Sequence, residues 1–165
     1  MNQRSLTLSW DDPAIARREG SRLSGLEFLQ AMIDGRIPRT PMAALLGFQL
    51  VEVREGFAAF QCRPAEQHYN PIGVVHGGLA CTLLDSAMGC SVYTTLPAGV
   101  GYTTLELKVN LVRALTVDTG MTRCEGRILH RGARTATAEG RLLDEAGKLY
   151  AHATTTCILF PAAGN

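Results

Sequence analysis

The first candidate for chemistry in this sequence is a single carboxylate inside an apolar segment. Asp85 is the only formally charged residue between Ile72 and Leu105. Desolvating a carboxylate is costly unless it is hydrogen-bonded, paired or turned towards a cavity. Two interpretations follow. Asp85 either accepts hydrogen bonds from Ser or Thr hydroxyls on a neighbouring element, or it is an acid/base or nucleophilic group in a cleft.

A second candidate, His76-Gly77-Gly78, begins nine residues earlier, at the predicted start of the same helix. The first backbone N–H groups of a helix have no partner within it and carry the positive end of its dipole. Two glycines leave these donors open to a ligand oxygen, although a tight loop-to-helix junction also favours glycine. Asn70, six residues before His76, adds an amide. The set predicts oxyanion donors, a carboxylate and an amide near one another.

The elements that must position these groups follow from hydrophobic periodicity. Apolar residues at helical spacing predict one long helix over residues 76–95, buried on most of its sides. A capping box at Ser24–Glu27 and a Thr40-Pro41 start predict two short helices before it. Alternating residues predict a hairpin and four further strands, over residues 48–63, 101–113, 119–131, 134–143 and 148–160.

One long helix within a run of antiparallel strands predicts an α+β fold in which the sheet wraps around the helix. Residues 1–23 are polar and lack periodicity, which predicts a loosely held arm. The predicted organisation is therefore an arm and short helix over residues 1–40, one main domain over 41–160, and a C-terminal tail over 161–165.

Composition excludes several classes of protein. The net charge of +1 lacks the basic excess of a nucleic-acid-binding protein. No apolar run approaches the length of a membrane span, and the N-terminus does not read as a signal peptide. The five cysteines are widely spaced without a CxxC pair, and neither they nor the four histidines show metal-site spacing. We expect a cytoplasmic protein with no nucleic acid or membrane partner and no metal.

Three segments together resemble a known family. They are the run from Asn70 to Gly78, the pair Leu84-Asp85, and the run from Gly99 to Glu106. Over residues 41–160 they resemble the hotdog-fold acyl-CoA thioesterases, most closely the PaaI-type group. The resemblance implies an antiparallel sheet around one central helix, no cofactor apart from the coenzyme A of the substrate, and hydrolysis of an acyl-CoA to free acid and coenzyme A.

The resemblance also implies roles for individual residues. The Gly77 N–H polarises the thioester carbonyl, and Asp85, acting from the opposite subunit of a dimer, is the general base or the nucleophile. Asn70 positions substrate or water, and His76 lies beside the thioester. A hydroxyl holds the water, and the register leaves Thr104 and Thr103 open as its source.

Substrate contacts are implied in the same way. We expect coenzyme A to meet the turn Arg131-Gly132-Ala133-Arg134, for which a solvated hairpin turn is the alternative, and Gly78 and Thr103 to contact the substrate. Residues that could hold an aryl or medium-chain acyl group are Met42, Leu45, Leu46, Met88 and Tyr102. Residues 1–46 either cover this acyl site or brace the sheet.

Two other functions are compatible with the same fold. One is a non-catalytic protein that binds or senses acyl-CoA, and the other is a hydratase or dehydratase acting on acyl thioesters. The resemblance to thioesterases favours hydrolysis over both. It also implies a homodimer with shared sites, because a lone subunit leaves an edge strand exposed, and we expect dimers to pair into tetramers.

Overall fold

The computed structural model describes residues 2–161. Four α-helices lie in this range: α1 Pro13–Gly20, α2 Gly25–Ile33, α3 Pro41–Leu46 and α4 Gly77–Tyr93. Six strands accompany them: β1 Phe48–Arg54, β2 Phe57–Cys62, β3 Val100–Leu111, β4 Thr122–Arg131, β5 Thr135–Asp144 and β6 Leu149–Pro161. The α+β class and the order of elements from α2 to β6 are those predicted. Apart from Pro161, the predicted tail lies outside the described residues.

The short N-terminal helices begin at the residues that their capping signals indicate. Ser24 and Glu27 form a reciprocal capping box at the start of α2, and the Thr40 hydroxyl accepts the Ala43 N–H at the start of α3. Helix α1 was not predicted. It lacks an apolar stripe, and its start depends on Asp12 as N-cap and on the proline that follows. The expected loose arm therefore contains one short helix.

The six strands form one antiparallel sheet in the order β1-β2-β4-β5-β6-β3. Strands β1 and β3 are its two edges. Strand β3 pairs with β6 along its length and has no protein strand on its other side among the described residues. This edge of β3 is therefore available for pairing with another strand.

Helix α4 lies across the sheet and forms the centre of the core. Its residues that face the sheet are buried, including Leu83, Leu84 and Met88. Two strand glycines permit this close contact: a Cβ at Gly126 would lie 2.1 Å from the Ala87 carbonyl oxygen, and one at Gly140 would lie 2.9 Å from Met88 Cγ. The predicted sheet around one long helix is thus confirmed, and these glycines mark the close approach of helix and sheet.

Candidate active site

Asp85 occupies the part of α4 that faces β3. The Thr104 hydroxyl donates a hydrogen bond of 2.8 Å to Asp85 Oδ1. Thr103 is exposed, because successive side chains of a strand point to opposite faces of the sheet. Of the two threonines left open by the sequence, the structure therefore brings Thr104 to the carboxylate. Asp85 also lines a cavity, the setting that the acid/base or nucleophile interpretation requires.

This cavity, called the Asp85 cavity below, has a volume of about 360 Å³. Its walls come from α2, α3, β1, β2, α4 and β3, and most of its lining side chains are apolar: Leu29, Met32, Ile33, Met42, Ala43, Phe48, Leu50, Phe60 and Tyr102. The polar lining consists of Arg39, Thr40, Gln49, Asp85, Ser86 and Cys90. Helices α2 and α3, within residues 1–46, therefore form part of the wall of this cavity.

The sequence interpretation identified only part of this lining. Met42 and Tyr102 line the cavity as expected, whereas Leu45 and Leu46 do not. Met88 requires a correction. It is fully buried in the core, because the side of α4 that carries it packs on the sheet at Gly140. The α2 residues Leu29, Met32 and Ile33 were missed as lining residues, since their periodicity predicts a helix without indicating what it packs against.

The Asp85 cavity is lined by one basic residue, Arg39, and by two groups whose pKa is raised. Burial raises the pKa of the Cys90 thiol to about 12, and the charge of Asp85 contributes to this rise. Burial, followed by the charges of neighbouring groups, also holds the pKa of Tyr102 well above its usual value. The Tyr102 ring packs closely on the helix at Gly89, where a Cβ would lie 2.9 Å from both its Cε2 and its hydroxyl oxygen. Asp85 is the only Asp, Glu, Lys or Arg residue of α4.

The other half of the candidate site lies at the start of α4. His76 is the N-cap, and its Nδ1 accepts the Gly78 N–H at 2.9 Å. Within the described residues the Gly77 N–H has no protein acceptor. Of the two glycine amides predicted to be open, only that of Gly77 remains so. Because His76 Nδ1 accepts a hydrogen bond, the neutral ring carries its proton on Nε2.

The loop before α4 is held by Asn70. Its side-chain oxygen accepts the N–H groups of Ile72 and Val74 at 3.1 and 3.3 Å. This places Asn70 beside the helix start and leaves its amide nitrogen for another partner. The loop lines a second cavity of about 320 Å³, called the Gly77 cavity below. The polar groups at this cavity include Asn70, His76 and the Gly77 backbone, together with Arg113, which was not predicted.

The two halves do not meet within one chain. Gly77 and Asp85 are eight residues apart on a single helix, which separates them by about 12 Å along its axis. Neither the Asp85 cavity nor the Gly77 cavity is lined by both residues. The expectation that donors, carboxylate and amide lie near one another is therefore not met by a single chain.

The arginine turn lies away from both cavities. Arg131 and Arg134 are exposed at the β4–β5 turn. Strand pairing locates this turn relative to the site: Thr135 pairs with Ile158, and Ile158 pairs with Thr103. The turn thus lies at the end of the sheet that also carries Thr103 and Thr104. Its predicted contact with coenzyme A stays a prediction.

Two further observations concern membranes and metals. No helix within residues 2–161 is both long and apolar enough to cross a membrane. The same residues contain no group of three or more His, Cys, Asp or Glu side chains arranged to hold a metal ion.

Comparison with known proteins finds a family model, a solved structure and a hydrolase that are similar to this chain. Residues 72–151 match the model of the thioesterase superfamily. A solved putative thioesterase of Ralstonia eutropha, described as related to phenylacetic acid degradation, is 30% identical; the match covers 79% of this chain and 98% of that one, with a TM-score of 0.71. The 1,4-dihydroxy-2-naphthoyl-CoA hydrolase of Listeria monocytogenes is 25% identical over 104 residues, covering 63% of this chain and 83% of that protein.

The fold is also that of the PaaI protein from the phenylacetic acid degradation operon of Escherichia coli. That structure is 18% identical, with 86% of this chain and 98% of that chain covered and a TM-score of 0.72. The family match spans the segment that carries Gly77, Asp85 and Thr104. The chain therefore belongs to the thioesterase superfamily, as a thioester hydrolase of the hotdog fold.

Proposed function

We propose that the protein is an acyl-CoA thioesterase whose active site combines Asp85 of one subunit with Gly77 of the partner subunit. The observation that carries this proposal is the separation of the two groups. They lie about 12 Å apart on one rigid helix, so a single carbonyl cannot reach both within one chain. Two chains related by a two-fold axis can supply both groups at one point.

The contacts of α4 with β3 support such an axis. Gly77 lies against Leu111, since a Cβ at Gly77 would be 2.6 Å from Leu111 Cδ1, and Asp85 bonds to Thr104. If two β3 edges pair antiparallel, with Thr104 opposite the partner subunit's Leu111, each Asp85 approaches the partner's Gly77. Because Leu105 is bulged out of the ladder, the axis then passes beside Lys108, which lies opposite its own copy.

The exposed edge of β3 is suited to this pairing. Leu105 is 58% exposed and Leu111 is 55% exposed, and Val112 beyond the strand end is 51% exposed. An unpaired strand edge with exposed apolar side chains favours association with another strand. A second copy would cover these side chains and continue the sheet. We expect the resulting dimers to pair further into tetramers.

The proposed chemistry uses three groups at the shared site. The Gly77 N–H donates to the thioester oxygen as it gains negative charge, assisted by the positive end of the α4 dipole. Asp85 either takes a proton from the attacking water or attacks the carbonyl carbon itself to form an anhydride, which water then opens. Thr104 donates to Asp85 Oδ1 and thereby orients the other carboxylate oxygen towards the reaction. The carbon–sulfur bond breaks, and coenzyme A leaves as the thiolate.

The acyl group is the least defined part of the substrate. The Asp85 cavity is closed mainly by apolar and aromatic side chains, which suits an aryl or medium-chain acyl group. The Listeria relative, a 1,4-dihydroxy-2-naphthoyl-CoA hydrolase, is named for an aryl-CoA substrate. We propose that the acyl group of this protein's substrate occupies the Asp85 cavity and that coenzyme A extends towards Arg131, Gly132 and Arg134.

The proposal is tested by measuring thiol release from a panel of acyl-CoAs, from acetyl through medium-chain to phenylacetyl and hydroxybenzoyl. Asp85→Ala should lower kcat about 10²–10⁴-fold, the usual contribution of a positioned base. A mutant with comparable kcat would contradict the role of Asp85. No release from any substrate would favour an acyl-CoA-binding protein or a dehydratase, to be tested by measuring acyl-CoA affinity and dehydration directly.

Subunit sharing has a separate test. An Asp85→Ala chain and a Gly77→Pro chain are each inactive alone, but a mixed dimer contains one intact site formed by the two unaltered halves. After unfolding and refolding an equal mixture, about a quarter of wild-type activity should return, since random pairing makes half the dimers mixed and each of these has one intact site. No recovery in a mixture shown to contain mixed dimers would place each site within one chain.

A further inference from the structure

One face of α4 is left uncovered by the sheet. Gly77, Cys81 and Asp85 follow one another at intervals of four residues, so they lie on the same side of the helix. All three are partly exposed, whereas the residues on the opposite side of α4 are buried. This face points towards the unpaired edge of the sheet, because Gly77 touches Leu111 and Asp85 bonds to Thr104.

Cys81 lies halfway between the two functional groups of its helix. It is four residues after Gly77 and four before Asp85, about 6 Å along the axis from each. It lines neither the Asp85 cavity nor the Gly77 cavity. If a two-fold axis brings Gly77 of each chain to Asp85 of the other, the helix residue midway between the two lies nearest to the axis. That residue is Cys81.

The strand contacts are consistent with the same axis. The residues of β3 that touch Gly77 and Asp85 are Leu111 and Thr104, and with Leu105 bulged out of the ladder the midpoint between them falls at Lys108. Cys81 of α4 and Lys108 of β3 are thus the residues nearest to the two-fold axis.

We infer that the two α4 helices of the dimer cross at Cys81, so that the two Cys81 thiols face each other midway between the two shared sites. This inference rests on the dimer of the proposed function. Inclined helices that touch at Cys81 diverge on both sides of the crossing. The space that opens on each side, between Asp85 and the partner subunit's Gly77, is where a thioester would enter.

The distances at such a crossing are those of a disulfide. Axes of packed helices are about 8–10 Å apart and Cα atoms lie about 2.3 Å from the axis, so residues facing each other have Cα atoms about 3.5–5.5 Å apart. Disulfides span Cα separations of about 4.4–6.8 Å. A diazene oxidant such as diamide removes two electrons and two protons from the thiol pair. One S–S bond forms, and the N=N bond of diamide becomes a hydrazine.

The other cysteines provide matched controls. Cys62, Cys124 and Cys157 are buried, and burial raises the pKa of each of their thiols. Cys90 is partly exposed on the same helix but lies nine residues beyond Cys81, about 13 Å along the axis from the crossing. It should therefore not reach its copy in the partner.

The experiment treats the folded protein with diamide and separates it on a denaturing gel without reductant. Wild type and Cys90→Ser should give a covalent species of twice the 17.8 kDa chain mass, reversed by dithiothreitol. Cys81→Ser should give none. A dimer in light scattering that yields no covalent species, or a covalent species that persists in Cys81→Ser, would overturn the contact.

A kinetic measurement tests the same contact without oxidation. Cys81→Leu should force the helices apart and misplace Asp85 relative to the partner's Gly77, which can cost about 10²-fold in kcat. Cys81→Ala should retain activity. Equal kcat in both variants would overturn the crossing at Cys81. Thiol release by the reduced wild type separates this inference from the proposed function. An active dimer that does not cross-link contradicts only the contact at Cys81. A protein that releases no thiol contradicts the proposed function.

Discussion

The two cavities of this protein are built in different ways. The Gly77 cavity takes its candidate catalytic groups from one short stretch of chain, the loop at Asn70 and the helix start that follows it. The Asp85 cavity is assembled from six elements distributed between α2 and β3. The first carries backbone donors and polar groups, and the second carries one carboxylate among apolar walls. One chain thus separates the Gly77 amide from the Asp85 carboxylate, and in our proposal a dimer reunites them as carbonyl polariser and base.

After Asp85→Ala, the largest effect should come from removing the backbone N–H at the Gly77 cavity. Gly77 is the first residue of α4, where proline is tolerated, and His76 has the extended backbone that a following proline requires. Gly77→Pro therefore removes the N–H while keeping the helix, and kcat should fall about 10²–10³-fold.

Gly77→Ala is the matched control for this change. It keeps the N–H and adds a Cβ whose close neighbour is the tip of the exposed Leu111 side chain, which can move. Thiol release by both variants decides the outcome. Equal losses in Gly77→Pro and Gly77→Ala would show that shape at Gly77, rather than its amide, controls the rate.

A smaller effect is expected from the hydroxyl beside Asp85. Thr104→Val keeps the shape of the side chain and removes the donor to Oδ1. A hydrogen bond to a charged group contributes about 1.5–3 kcal/mol, so kcat should fall by at least about tenfold. Thr103→Val changes the neighbouring residue on the opposite face and should leave kcat unchanged. If Thr103→Val were the slower variant, the assignment of the hydroxyl to Thr104 would be wrong.

The wall of the Asp85 cavity can be altered without disturbing the core. Met42 is exposed at the cavity, and Leu45 is equally exposed on the same helix but does not line it. Met42→Trp should raise KM for phenylacetyl-CoA about tenfold, a typical size for a change in an apolar site, and should spare acetyl-CoA. Leu45→Trp should change neither. A KM that rises equally for both substrates would place the acyl group elsewhere.

The smallest expected effect is on the pH dependence of the free energy of unfolding. It involves only the part of the molecule around the Gly77 cavity. His68 is buried beneath the loop, and its carbonyl accepts the His76 N–H at 2.8 Å. Burial lowers the pKa of His68, and the Leu46 carbonyl offsets this only in part. Because the unfolded chain binds the proton more readily, the contribution of His68 to stability is fully present above about pH 6.5 and is lost as pH falls through the lower folded pKa.

Urea unfolding should therefore give a lower midpoint at about pH 5.5 than at about pH 7.5, and His68→Gln should reduce this difference. A His130→Gln variant, which changes an exposed histidine at the other end of the sheet, should keep the wild-type dependence. If the pH dependence of the urea midpoint were unchanged in His68→Gln, titratable groups other than His68 would be its cause.

Much of the fold could be predicted because its signals are local. The capping residues Ser24 and Thr40, the apolar stripe of α4 and the alternation of the strands each depend on neighbours along the chain. Helix α1 escaped prediction because it has no apolar stripe to reveal it, only a cap and a proline. Met88 was placed in the acyl site because periodicity shows that a helix has an apolar side, but not which cavity or core that side meets.

The sequence by itself determined the chemical inventory of this protein: a lone carboxylate in an apolar helix, a glycine amide at the start of that helix, and an asparagine loop before it. Only the tertiary structure decided how they are combined. Strand alternation brought Thr104 rather than Thr103 to Asp85, and packing turned α2 and α3 into walls of a cavity. The rigid rise of one helix keeps Gly77 and Asp85 about 12 Å apart. This distance is why the proposed site needs two chains.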